Sequence, residues 1–396
     1  MTSGSLLKRR LARVPQRSSA GYSREVVLLG CFGLMLVFLA LTAFVSRMYH
    51  KDIHVLADQW FAKGEASFRA GRPGDAAKDY RNALVFSPGN PVFQLHLAQA
   101  LIAAGEYEQA RSYLLNLLAE SPGSGEINLA LARIAARDAR HGESVQDALR
   151  CYYGAIYGVW NSDPLARRWD VRRELCEYLL GRRMLNQAQP EIMALAQDVP
   201  PGDTKLQKQA AALLLRVSLW DHALDEYRTI LVAHKWDPEA LAGAGTAAFE
   251  MGHYAEAIRY LEALPELKRT SLGVSADLDI ARQAQAQDPF LPRLSPRERA
   301  ERVARAMGQA QGLLETCASR AGGSSLSSLE QLESAFKANQ QAWTKLSLTR
   351  NPALVGEAVN WVFEVERTAS QACGQPSDVG NRALLLLSES HPRSES

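Results

Sequence analysis

Hydrophobic positions change character twice along the chain. Residues 26–46 read VVLLGCFGLMLVFLALTAFVS, an unbroken apolar run with no charge and no polar face. As a helix, this run is long enough to reach across a hydrocarbon core of about 30 Å. From Ala57 onward apolar and polar positions alternate at helical spacing, in pieces of about 14 residues separated by Gly- or Pro-bearing turns. After Ser271 a different helical pattern takes over. No run shows the period of two that marks a half-buried strand, so the expectation is an all-α fold.

Within the middle region the pattern repeats, with Pro88 and Pro122 at equivalent places in consecutive units. Between and around them the order is Trp60, Gly64, Gly71, Ala76, Tyr80, Ala83, Leu84, Pro88, then Leu97, Ala98, Gly105, Tyr107, Ala110, Leu114, Leu117, Leu118, Pro122. Gly71 and Gly105 are placed to end first helices in a left-handed turn, and the prolines to stop second helices. Ala148, Tyr152 and Ala155 mark a third unit, whose inner turn near Arg140-His141-Gly142 is longer. A fourth, about 165–200, drifts. Gly181 and Ala188 stand two residues too far apart, and Pro190 is expected to interrupt the second helix. Trp220, Ala223 and Tyr227 recur as Tyr254, Ala257 and Leu261, after the same interval that separates Pro88 from Pro122. Gly245 and Gly252 fill the glycine places of the sixth unit.

This order of large, small and turn residues resembles the tetratricopeptide repeat family, whose period of about 34 residues the two prolines match. The resemblance implies an α-solenoid of about six helical hairpins across 57–270, because three or more such hairpins are needed to bury a continuous core. It also implies that the first helices line a groove for other proteins. Carried over residue by residue, groove candidates are Phe61, Phe68 and Arg69, then Leu95, Gln99 and Ile102, then Arg133 and Arg137, then Lys205, Lys208 and Arg216, and finally Phe249. A basic middle suits a partner with an acidic segment. Where some members hold a chaperone's terminal carboxylate with Lys and Asn, this chain has Phe61, Glu65 and His96, which disfavours such a clamp.

Beyond the repeats, 271–294 reads as a linker and 295–390 as a small helical bundle capping the array. Ser295-Pro296-Arg297-Glu298 has the form of a capping box. Ser327 with Glu330 suggests a second box, Asn351-Pro352 opens a third helix, and 379–388 a short fourth. The last residues, from His391, are expected to fray.

Charge then gives the apolar run a direction. Residues 1–25 hold Lys8, Arg9, Arg10, Arg13, Arg17 and Arg24, with one acid, Glu25, at the edge of the run. Arg47 and Lys51 follow it. The more basic flank stays cytoplasmic, which predicts a single-pass bacterial inner-membrane helix with the bulk in the periplasm. A cleaved signal peptide or an organellar targeting segment is the competing reading. Net charge is +2 over 396 residues, so no nucleic-acid partner is implied.

Five cysteines are too few for a disulfide scaffold. Cys317 with Cys373, and Cys151 with Cys176, fall where bridges are feasible in an oxidising compartment, and buried thiols are the alternative. His50 and His54 lack a third ligand, and Asp277 with Asp279 reads as surface charge. No phosphate-binding loop, nucleophile elbow or metalloprotease motif occurs. The sequence therefore predicts no catalytic, cofactor or metal residues and no small-molecule substrate. It predicts a non-enzymatic, membrane-tethered adaptor in envelope assembly or secretion. The alternative is an accessory subunit of an envelope enzyme system, in polysaccharide export or cytochrome maturation, docking through its C-terminal helices.

Overall fold

The computed structural model describes residues 24–138 and 142–391, without the side chains of 24–27, 45, 47–52, 138 and 142–144. Most of the basic tail, the turn at 139–141, the side chain of His50 and residues 392–396 lie outside the described residues. The chain forms two compact units, 1–159 and 160–396, each taken by itself below. Among the described residues everything ordered is helical, apart from one isolated bridge between Ser124 and Val159.

The first unit holds α1 (Arg24–Arg69), α2 (Pro73–Phe86), α3 (Pro91–Ala104), α4 (Tyr107–Glu120), α5 (Gly125–Asp138) and α6 (Gly142–Ile156). Helix α1 is continuous over 46 residues: the apolar segment and the first repeat helix are one element. Along it the large apolar side chains from Leu28 to Phe44 are 51–70% exposed, with no protein surface covering them. Among the described residues no helix is long and apolar enough to cross a membrane, so they do not support the transmembrane assignment of 26–46.

From Ala57 the expected pairing appears. Helices α1 and α2, then α3 and α4, then α5 and α6, pack as antiparallel hairpins, each against the next. Gly71 and Gly105 take the left-handed turn, at φ of 72° and 85°. Asn90 caps α3 by accepting from the N–H groups of Val92 and Phe93, and Pro91 occupies the first turn, where its missing donor costs nothing. One core runs through the three hairpins, with Tyr80, Leu97, Leu101 and Leu114 almost fully buried.

The second unit opens with three more hairpins. They are α7 (Pro164–Gly181) with α8 (Leu185–Gln197), α9 (Thr204–Arg216) with α10 (Trp220–Ala233), and α11 (Pro238–Glu250) with α12 (Tyr254–Glu262). The fourth hairpin is in register after all. Its left-handed turn residue is Arg183 (φ 57°), not Gly181, and Arg183 stands five positions before Ala188, as Gly71 does before Ala76 and Gly105 before Ala110. Ser218 (φ 60°) fills the same place in the fifth hairpin and Gly252 (φ 74°) in the sixth. The turn geometry is kept even where glycine is not, at a cost of about 1–2 kcal/mol for a side chain in that region. Nor does Pro190 interrupt α8, which runs through it. Proline there removes only the bond to Asn186, and both residues lie on the exposed side.

The stretch 271–294 is not a plain linker. A short α13 (Glu266–Ser271) leads into α14 (Ser275–Gln287), which buries Leu278, Ile280, Ala281 and Ala284. Next come α15 (Pro296–Ala318), α16 (Gly323–Asn339), α17 (Lys345–Arg350), α18 (Pro352–Cys373) and α19 (Val379–Ser390). Ser295 and Glu298 form the full capping box at the start of α15. At α16 the expected box is absent: the helix starts four residues before Ser327, behind Gly322. Helices α11, α12, α14, α15, α18 and α19 share one core, so the C-terminal helices are fused to the last hairpin rather than merely placed beside it. Helix α14 packs on α12 on one side and on α19 on the other, which gives α19 the seat of a second helix in a seventh pair.

Cys317, late in α15, is bonded to Cys373, at the end of α18, with Cα atoms 6.0 Å apart. Cys31, Cys151 and Cys176 are free thiols.

Candidate functional site

In four of the hairpins a small residue on the first helix stands sixteen positions before a large one on the second. Gly64 and Tyr80, Ala98 and Leu114, Ala211 and Tyr227, and Gly245 and Leu261 repeat this pair. A Cβ on Gly64 would lie 2.6 Å from the Tyr80 ring, and one on Gly245 would lie 2.3 Å from Leu261. With the helices held this close, each first helix meets other elements only through its remaining face.

On α1 that face carries an aromatic and acidic group. The Phe61 ring packs 4.7 Å from Phe93, 4.9 Å from His96 and 5.5 Å from Tyr80, between centroids. Phe61 therefore belongs largely to the joint between the first two hairpins. One turn on, the Glu65 carboxylate accepts a hydrogen bond from the Tyr80 hydroxyl at 2.5 Å and lies 2.7 Å from His96 Nδ1. Arg69 approaches it at 3.8 Å. Burial pushes the Glu65 carboxyl up, but the Tyr80 hydrogen bond, His96 and the Arg69 charge outweigh it and hold the group below its ordinary range. An anionic Glu65 repels a carboxylate brought to this face. Phe68 remains 38% exposed and the Arg69 side chain lies open.

Leu95, Gln99 and Ile102 on α3 are half-buried, and Leu95 and Ile102 rest on the core of the unit. On α5 Arg133 and Arg137 are exposed. The Arg137 guanidinium sits 4.9 Å over the Tyr107 ring. These two, with Gly105, Glu106, Glu108, Gln109 and Ile134, line an open cleft of about 560 Å³. In the sequence Tyr107 serves only as a mark of the repeat, and its role as a cleft wall goes unread. Its place two residues after the turn glycine is the available signal.

In the second unit the candidates divide differently. Lys205 is exposed. Lys208 is committed to the next hairpin, with Nζ 2.7 Å from Glu239 and 3.0 Å from Asp237. Hydrogen bonds to Glu239 and Asp237 outweigh desolvation and raise the ammonium above its ordinary range. Arg216 places Nη1 2.9 Å from both oxygens of Glu177 on α7. Phe249 is only 8% exposed, buried in the core that α11 shares with α14 and α19, and packed edge-on against Tyr254. It is not available as a groove residue, because the C-terminal helices cover it. Likewise Asp277 is half-buried rather than surface charge, and burial pushes its carboxyl up.

Residues 67–134 match the family model of the tetratricopeptide repeat. No curated protein sequence matches the chain. Among the solved structures that are similar, three illustrate the likeness. A tetratricopeptide repeat protein from Parabacteroides merdae has 13% identity and a TM-score of 0.37, over 63% of this chain and 91% of that one. The TPR2AB-domain:pHSP90 complex of yeast Sti1 has 17% identity and a TM-score of 0.24, over 57% and 97%. The P58(IPK) TPR domain has 11% identity and a TM-score of 0.28, over 84% and 97%.

Proposed function

Because this chain is a tetratricopeptide repeat protein across residues 67–134, we propose that it is a non-catalytic scaffold that binds partner proteins on the first-helix faces of its repeats. The observation that carries this reading is the face of α3 and α5 in the first unit. There Leu95, Gln99 and Ile102 lie half-open beside exposed Arg133 and Arg137 and the Tyr107 cleft. Half-open apolar area supplies affinity, and the exposed Arg137 guanidinium beside Tyr107 favours an acidic segment. Lys208 and Arg216 drop out of the basic surface, since ion pairs within the second unit already occupy them.

The scaffold is tethered through the apolar part of α1 to a bacterial inner membrane, with residues 47–396 in the periplasm. Two features support that placement. Large apolar side chains from Leu28 to Phe44 stand exposed in a row that a hydrocarbon phase would cover, and the Cys317–Cys373 bridge belongs to an oxidising compartment. Tethering raises the local concentration of the binding face for envelope partners in assembly or secretion.

The test is capture from intact membranes with the full chain, wild type against R133E/R137E, by crosslinking and mass spectrometry. Loss of an acidic partner is the expected result. An unchanged set of captured proteins removes the face from consideration. The tether is read separately, by resistance of the full chain to alkaline extraction.

A further inference from the structure

The loops that enter the first helices share a position just ahead of the helix cap. It is Gly89 before Asn90, Gly123 before Ser124, Ser162 before Asp163, Gly202 before Asp203 and Trp236 before Asp237. Asn90, Asp163, Asp203 and Asp237 all cap by accepting from backbone N–H groups. Four of the five loops carry glycine or serine there. The fifth carries the largest side chain available.

A tryptophan before the cap has a structural use: it can pack on the residue four positions into the helix and fix the entry angle. In this chain that residue is Leu241. Leu241 is 5% exposed and satisfied within its own core, whereas Trp236 is 71% exposed, so the ring is not used that way. Its neighbours are of the same kind. Val232 is 89% exposed, and Leu267 on α13 is 81% exposed. Leu231, beside Val232, and Leu264, three residues before Leu267, rest on one hydrophobic cluster, which puts both loops on one edge of the second unit.

Charge on that edge is mixed, with a small excess of base. Lys235 and Lys268 are exposed next to Trp236 and Leu267. Arg269 is half-buried and donates to the Leu264 carbonyl. Asp237 and Glu239 share the single Lys208, which leaves one negative charge on that group, and Glu262 is paired with Arg282 at 2.7 Å. Glu266 is the exposed acid adjoining Leu267. A tryptophan and two aliphatic side chains flanked by lysines are the residue types that settle at the headgroup level of an anionic bilayer.

We propose that this edge, Val232–Trp236 together with Leu267 and Lys268, is a membrane-contact surface that rests on anionic lipid headgroups. It extends the tether reading, since a chain held at a bilayer has that surface at hand. The ring and the two aliphatic side chains enter the interface, and Lys235 and Lys268 meet lipid phosphates. Each such lysine contributes on the order of 1 kcal/mol near an anionic surface.

The test is hydrogen–deuterium exchange on the full chain in three settings: vesicles of phosphatidylcholine with phosphatidylglycerol, vesicles of phosphatidylcholine alone, and detergent. The expected result is exchange at 232–237 and 266–272 slowed several-fold with the anionic vesicles only, and restored in K235E/K268E and in W236S/L267S. Equal exchange in all three settings overturns the proposal. So does protection in detergent that disappears on dilution, which identifies a second copy of the chain as the occupant. So does protection that requires an added protein rather than lipid. Flotation of the same samples separates the two readings. A chain released from vesicles by alkali loses the tether, while protection of the edge by added anionic vesicles still reports on the surface.

Discussion

The Tyr80 ring lies against the backbone of Gly64, so close that a methyl group on Gly64 would stand 2.6 Å from two ring carbons. Tyr80 cannot retreat, since it is 1% exposed and its hydroxyl is bonded to Glu65 on the same helix as Gly64. Gly64→Ala is therefore expected to destabilise the first hairpin by about 1–3 kcal/mol, the usual cost of overpacking a filled core. Hydrogen exchange should show faster opening of α1–α2 amides in the first unit, with α15–α18 unchanged. Equal exchange in both regions would contradict the packing described.

Glu366 on α18 is wholly buried, and neither carboxyl oxygen finds a hydrogen-bond partner among the described residues. Burial, with a smaller push from Asp378, raises its pKa from 4.5 to about 8. The sign follows directly. The folded state keeps the proton over a range where the unfolded state has lost it, so stability is full at low pH and falls as pH rises toward 8. The slope is up to about 1.4 kcal/mol per pH unit. Burial and neighbouring acids push Glu250 the same way, and burial does so for Asp277. Glu366→Gln should flatten the dependence between pH 4.5 and about 8, measured as denaturant midpoint for the second unit against pH.

Arg183 and Ser218 hold left-handed turns that glycine holds in neighbouring hairpins. Replacing either with glycine relieves about 1–2 kcal/mol of strain, partly offset by a freer unfolded chain. A net gain of roughly 0.5–1 kcal/mol in the second unit is expected. Gly71→Ser, the converse change, should cost about as much. Thermal midpoints of the three variants check the pair of signs together.

The cysteine assignment is testable by mass alone. Alkylation of the denatured, unreduced chain should label Cys31, Cys151 and Cys176 and leave Cys317 and Cys373 unlabelled until reduction. Cys317→Ser with Cys373→Ser removes the staple between α15 and α18. It should lower the stability of the second unit by about 2–4 kcal/mol. Five labelled cysteines without reduction would contradict the bridge.

Much of the array is written in single residues: Pro88 and Pro122 set the period, and Gly71 and Gly105 supply the turns. What misleads is a signal carried by the wrong residue. Gly181 attracts the turn assignment because glycine adopts positive φ freely, yet the chain strains Arg183 instead and so keeps the spacing to Ala188. Pro190 looks like a stop because the ring forbids one hydrogen bond, but on an exposed flank one missing bond is tolerated. Helix position alone puts Phe249 in the groove. Its burial depends on α14 and α19, and α19 lies more than a hundred residues further along the chain, beyond the reach of any local pattern. The capping box at Ser295 is legible because both partners are three residues apart. Gly322 as the true start of α16 is not, because a bare glycine cap carries no side-chain mark.

Helix α1 passes from the exposed apolar rows into the first repeat without a break, so the joint between them has no swivel. Its 46 residues make a rod several times longer than it is wide. Such a rod acts as a lever: a tilt of the apolar end swings the other end through an arc, and a rotation about the axis turns the first hairpin by the same angle. Inserting two glycines near Arg47 would uncouple the ends while leaving both intact, turning a fixed aim into a free one.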